Sequence, residues 1–114
     1  MPLYEHVYLA RQDITTQQVE NITKSIEDVV KKEGGSIDKV EYWGLRQLAY
    51  KIKKNRKAHY TMMNINASSG ALKEVERQIS LNENVLRHIS IKVDKFEDGP
   101  SLMMNSRSAE KSED

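Results

Sequence analysis

Apolar residues recur along this chain with two different periods, and the places where the period changes mark its elements. From Tyr4 to Ala10 the residues are aromatic, β-branched or aliphatic, with Tyr4, His6 and Tyr8 on one side and Glu5, Val7 and Leu9 on the other. This predicts a strand with apolar groups on both faces. Val19, Ile22, Ile26, Val29 and Val30 then recur at helical spacing, and Thr15 with Gln18 three residues later reads as a capping box. A helix is expected from about Thr16 to Glu33. Gly34 suits the left-handed residue that closes it, because glycine has no Cβ to clash there.

From Ile37 to Ile52 the apolar positions Ile37, Val40, Tyr42, Trp43, Leu45, Leu48, Tyr50 and Ile52 lack a helical period, so a long strand is predicted, with a bulge or bend at Gly44. Polar Lys53-Lys54-Asn55-Arg56 follows, and an extended pattern resumes from Ala58 to Ile65, which together read as a hairpin with a cationic tip. Ser68-Ser69-Gly70 offers N-cap chemistry for a second helix with Leu72, Val75 and Ile79 on one face, ending near Asn82. Val85, Arg87, Ile89, Ile91 and Val93 alternate with Leu86, His88, Ser90 and Lys92 in a final strand. The order βαββαβ is an α+β, ferredoxin-like split βαβ arrangement: a four-stranded antiparallel sheet with two helices on one face and the second and fourth strands at its edges.

A length of 114 residues supports one small domain, expected over residues 1–95, with a polar tail over 96–114. That tail carries Asp98-Gly99-Pro100, Met103-Met104 and a charged end, too little apolar surface to offset chain entropy, and is expected to be disordered. There is no cysteine, so neither a disulfide framework nor a thiolate metal site is available and a reducing, cytoplasmic compartment is expected. The N-terminus has no basic start followed by an apolar run, and no apolar stretch approaches the roughly 18 residues of a membrane span.

Charge changes the picture. Eighteen basic and 17 acidic side chains nearly cancel, yet no carboxylate lies between Glu41 and Glu74, where Arg46, Lys51, Lys53, Lys54, Arg56, Lys57 and Lys73 stand. Seven positive charges in that segment leave an excess of six carboxylates elsewhere. Such one-signed fields concentrate and steer a polyanion, and nucleic acid is the expected partner. Gatekeeping of an edge strand also uses lysines, but does not require carboxylates to vanish over 32 residues. Of the interleaved aromatics Tyr42, Trp43, Tyr50 and Tyr60, Trp43 is the best candidate for stacking on a base. The segment Lys57 to Asn64 lacks the glycine and paired aromatics of an RNA recognition motif.

Catalytic chemistry has no constellation here. His6, His59 and His88 are dispersed, and although His6 and His88 fall on strands expected to be neighbours, neither sits in a zinc or triad motif. Gly34-Gly35 follows a helix, whereas phosphate-cradling glycine loops open one. An enzyme is not expected, and no cofactor is implied.

The segment Gly44-Leu45-Arg46-Gln47-Leu48-Ala49-Tyr50-Lys51-Ile52-Lys53 resembles the signature of the bacterial small-subunit ribosomal protein six family. The resemblance extends to Tyr4-Glu5, Lys57-Ala58-His59-Tyr60 and Asn82-Glu83-Asn84-Val85-Leu86-Arg87, over roughly residues 3 to 93. Many relatives have proline where this chain has Lys51. The resemblance implies a structural protein of the cytoplasmic small ribosomal subunit that pairs with ribosomal protein eighteen and binds the central domain of small-subunit ribosomal RNA. By the same carry-over, Arg46 and the hairpin cations Lys51, Lys53, Lys54, Arg56 and Lys57 are candidates for phosphate contacts, while Gly44, Leu48, Ala49 and Tyr50 serve packing and shape. The alternative from another class is a non-ribosomal interaction or regulatory module acting through its sheet edges.

Overall fold

The computed structural model describes residues 1–96, in the order β1 (Leu3–Arg11), α1 (Thr16–Lys32), β2 (Ser36–Ile52), β3 (Asn55–Asn66), α2 (Ser69–Ser80) and β4 (Val85–Val93). Of the expected tail over 96–114, all but Phe96 lies outside the described residues. The strands form one antiparallel sheet in the order β2-β3-β1-β4, so β2 and β4 are the edges as expected.

Local chemistry sets the helix ends. Thr15 and Gln18 form the reciprocal capping box, each side chain bonded to the other's backbone N–H. Gly34 closes the first helix with φ +85°, and Gly35 turns directly beneath the sheet, where a Cβ would lie 2.5 Å from the Asn66 carbonyl oxygen. Ser68 caps α2 by accepting from the Ala71 N–H.

Both faces of the sheet are apolar, and they are covered differently. Tyr4, Tyr8 and Ala10 of β1 join Met63 and Ile65 of β3 beneath Val19, Ile22, Ile26 and Val30 of α1 and Leu72, Val75 and Ile79 of α2. On the opposite face Val7, Leu9, Ala58, Tyr60, Met62 and Leu86 form a second cluster with Trp43, flanked by Leu48 and Ile52. Among the described residues no helix covers that face, and Ile89 and Ile91 of β4 remain exposed there. Strand β1 is therefore buried on both sides, which accounts for its lack of a polar face.

Candidate nucleic-acid interface

The site is built by the long β2–β3 hairpin. Gly44, at φ +89°, lies at a register shift beside Tyr42, which is the bulge expected from its position in the strand. A larger irregularity follows. Pairing passes from Gln47–Lys57 to Ile52–Asn55, so Leu48, Ala49, Tyr50 and Lys51 oppose Arg56 alone. These four residues leave the ladder and form a strap over the second cluster: Leu48 and Ile52 pack on it, and Tyr50 reaches as far as β4. There the Tyr50 hydroxyl accepts from Arg87 Nη1 at 3.1 Å, and the Arg87 guanidinium lies 5.6 Å from the ring centroid.

The tip is tighter than the sequence pattern indicates. Only Lys53 and Lys54 turn the chain, with φ +47° and +70°, and β3 begins at Asn55 rather than Ala58. Left-handed φ at both central residues is the geometry of a two-residue hairpin turn, for which glycine and asparagine are preferred. Asn55 holds the turn from below. Its Nδ2 donates to the carbonyls of Ile52 and Lys53 at 3.3 and 3.0 Å, and its Oδ1 accepts from the Gln12 N–H at 3.1 Å. Gln12 Oε1 in turn accepts from the Lys57 N–H at 3.1 Å. The buried Asn55 thus fastens the cationic tip to the loop that follows β1.

Lys51, Lys53, Lys54, Arg56 and Lys57 are all exposed at this end of the sheet, and no ion pair among the described residues engages them. Arg46 is separate and more constrained. It is half-buried, donates from Nε to the Trp43 carbonyl at 3.0 Å and lies 5.8 Å over the indole. Lys73 sits on α2, away from the hairpin. The fold thus gathers five of the six expected site residues at one tip and sets Arg46 on the flank.

Trp43, the expected stacking residue, is 9% exposed, with its ring 6.1 Å from that of Tyr60 and its Nε1 donating to Glu41 at 2.9 Å. Its face is occupied by the protein. Tyr50, expected to serve packing, is 63% exposed. Sequence patterning does not single out Arg87 or Asn55, because each acts through strand pairing, which no local motif reports.

The histidines are held by the fold. His59 Nε2 donates to the Ile14 carbonyl at 3.0 Å while Nδ1 accepts from the Tyr42 hydroxyl at 2.7 Å. His6 is completely buried, stacked 5.9 Å from His88 and hydrogen-bonded through Nδ1 to Ser90 at 2.7 Å. Burial, reinforced by the nearby His88, lowers its pKa to about 3. Among the described residues no cluster of three or more potential ligands could hold a metal, and no helix is long and apolar enough to cross a membrane. The arrangement offers exposed cations on a turn held by Asn55.

The family model described as Ribosomal protein S6 matches residues 3–92. Small ribosomal subunit protein bS6 of Paramagnetospirillum magneticum is 56% identical over 108 residues, covering 95% of this chain and 75% of the relative. The bS6 of Methylocella silvestris is 56% identical over 107 residues, covering 94% and 73%. The crystal structure of 30S ribosomal protein S6 from Thermotoga maritima matches with a TM-score of 0.75 at 21% identity, covering 99% of this chain and 98% of that one. At that identity the likeness shows the split βαβ fold.

Proposed function

The chain belongs to the ribosomal protein S6 family, and from that premise we propose that it is a structural, non-enzymatic constituent of the cytoplasmic small ribosomal subunit. In this reading it binds the central domain of small-subunit ribosomal RNA through the β2–β3 hairpin, together with ribosomal protein eighteen. The observation that carries the RNA contact is the set of exposed cations, engaged by no ion pair among the described residues, on a turn fixed by Asn55. Lys51, Lys53, Lys54, Arg56 and Lys57 meet phosphates, whose spacing and shape, more than base identity, determine the site. Arg46 contributes from the flank, its guanidinium already oriented by Trp43.

The protein partner rests on the family. It is supported by Val40, Tyr42 and Leu45, large apolar groups exposed along the free outer edge of β2.

The assembly is tested by sedimenting the tagged chain with small ribosomal subunits after a high-salt wash; its absence from the pellet would overturn the reading. The RNA contact is tested by changing Lys53, Lys54, Arg56 and Lys57 to Ala. Affinity for an RNA fragment bearing the site, measured over a salt series with the partner protein present, should fall. The slope of log K against log salt should flatten by about 0.7 to 0.9 for each phosphate no longer neutralised. Unchanged binding removes the hairpin from the interface.

A further inference from the structure

The strap formed by Leu48 to Lys51 does more than close the second cluster. Between it and the sheet lies a pocket of about 310 Å³, floored by Leu9, Tyr60 and Ile89 and walled by Leu48, Ile52 and the Tyr50 ring. Arg87 stands at its rim beside Tyr50. No carboxylate lines it, and Arg87 takes part in no ion pair among the described residues. The pocket is continuous with the cationic hairpin, because Tyr50 and Ile52 belong to both.

We propose that this pocket receives one unpaired nucleobase of the RNA whose phosphates lie along the hairpin. The inference rests on the RNA reading above and adds a subsite to it. Three features select this occupant. The volume is at the lower end for small-ligand sites, roughly 300 to 1,000 Å³, and suits a planar heterocycle. The walls are aliphatic and aromatic, and base–aromatic stacking tolerates any base. The rim carries the cation Arg87: an apolar side chain from a protein would cover it without an opposing charge, whereas a nucleotide brings its phosphate with its base. Tyr50 is preorganised for this role, since Arg87 holds its ring through both the hydroxyl and the π face.

The test uses the full chain with labelled isoleucine and leucine methyl groups, titrated at low salt with octauridylate and with an abasic ribose-phosphate chain of the same length. Octauridylate should shift the methyl signals of Leu48, Ile52 and Ile89 and bind about tenfold more tightly than the abasic chain. Tyr50→Ala, at an exposed position that does not threaten folding, should abolish that difference, while Tyr50→Phe keeps most of it. Lys57→Ala should weaken both chains equally. If the two chains bind alike and leave the pocket methyl groups unmoved, the subsite is overturned and the hairpin reading stands. If neither chain binds, the hairpin reading falls with it. Pocket shifts produced by another small-subunit protein, and not by RNA, would overturn the nucleobase in favour of a protein anchor.

Discussion

The two faces of this sheet solve the same problem with different materials. On one, two amphipathic helices seal Tyr8, Met63 and Ile65 from water, and the titratable groups drawn deep into the layer, Tyr8 and His6, are neutral and hydrogen-bonded. On the other, the lid is the chain's own strap, completed by Arg46 over Trp43 and Arg87 over Tyr50. Cations stacked on aromatics can cover apolar surface while their charged ends remain available to solvent or a phosphate. The helix-covered face is therefore where stability is concentrated, and the strapped face is where charge is displayed.

Acid should act first on the helix-covered face, and most strongly. His6 is neutral when folded because burial, then the nearby His88, lowers its pKa to about 3, against an ordinary value of 6.5. The folded state thus binds fewer protons than the unfolded chain. The stabilisation is fully present above pH 6.5 and is lost as pH falls towards 3, at about 1.4 kcal/mol per pH unit and about 5 kcal/mol in all. Urea unfolding at pH 7, 5 and 4 should show this slope in the native chain and a shallower one in His6→Leu. Parallel slopes would mean that the ring is not held neutral by its burial.

Core truncation contrasts the faces directly. Ile65→Ala, at a side chain with no exposure, should cost about 3 kcal/mol. Leu48→Ala, at a partly exposed position of the strap, should cost about 1 kcal/mol. Equal destabilisation of the two variants in chemical denaturation would show that the strap is as integral to the core as the helices.

What is legible in the sequence divides along the same line. The six elements are visible because helices announce themselves locally, through Thr15 with Gln18 and through Ser68, and strands through their alternation. The cationic cluster is legible because it is contiguous. The strap is not: Leu48 to Lys51 continue an extended apolar pattern, and their departure from the ladder depends on pairing with β3 and on Arg87, 37 residues beyond Tyr50. Trp43 reads as a stacking residue for the same reason, since its position against Tyr60 is decided by the bulge at Gly44 and by strand order. His6 and His88 are expected on neighbouring strands, but their stacking requires the register of β1 with β4.

The smallest expected effect is the most informative about the strapped face. Lys53 and Lys54 occupy left-handed φ values that an L side chain with a Cβ adopts at a cost, and the turn would be served better by Asn-Gly. Replacing the pair, Lys53→Asn with Lys54→Gly, should raise unfolding stability by about 1 kcal/mol. It should also weaken RNA binding and flatten its salt slope by about 1.5, the share of two phosphates. The control Lys53→Gln with Lys54→Gln removes the same two charges and keeps the strain, so it should bind RNA as weakly without gaining stability. Opposite movements of stability and affinity in the first pair, and weakened affinity alone in the second, would show that this turn keeps lysine for its charge against the preference of its backbone. If Asn-Gly instead left RNA binding intact, the tip would be an ordinary hairpin end, and the charge displayed by this face would reside in Arg46, Lys51, Arg56, Lys57 and Arg87 alone.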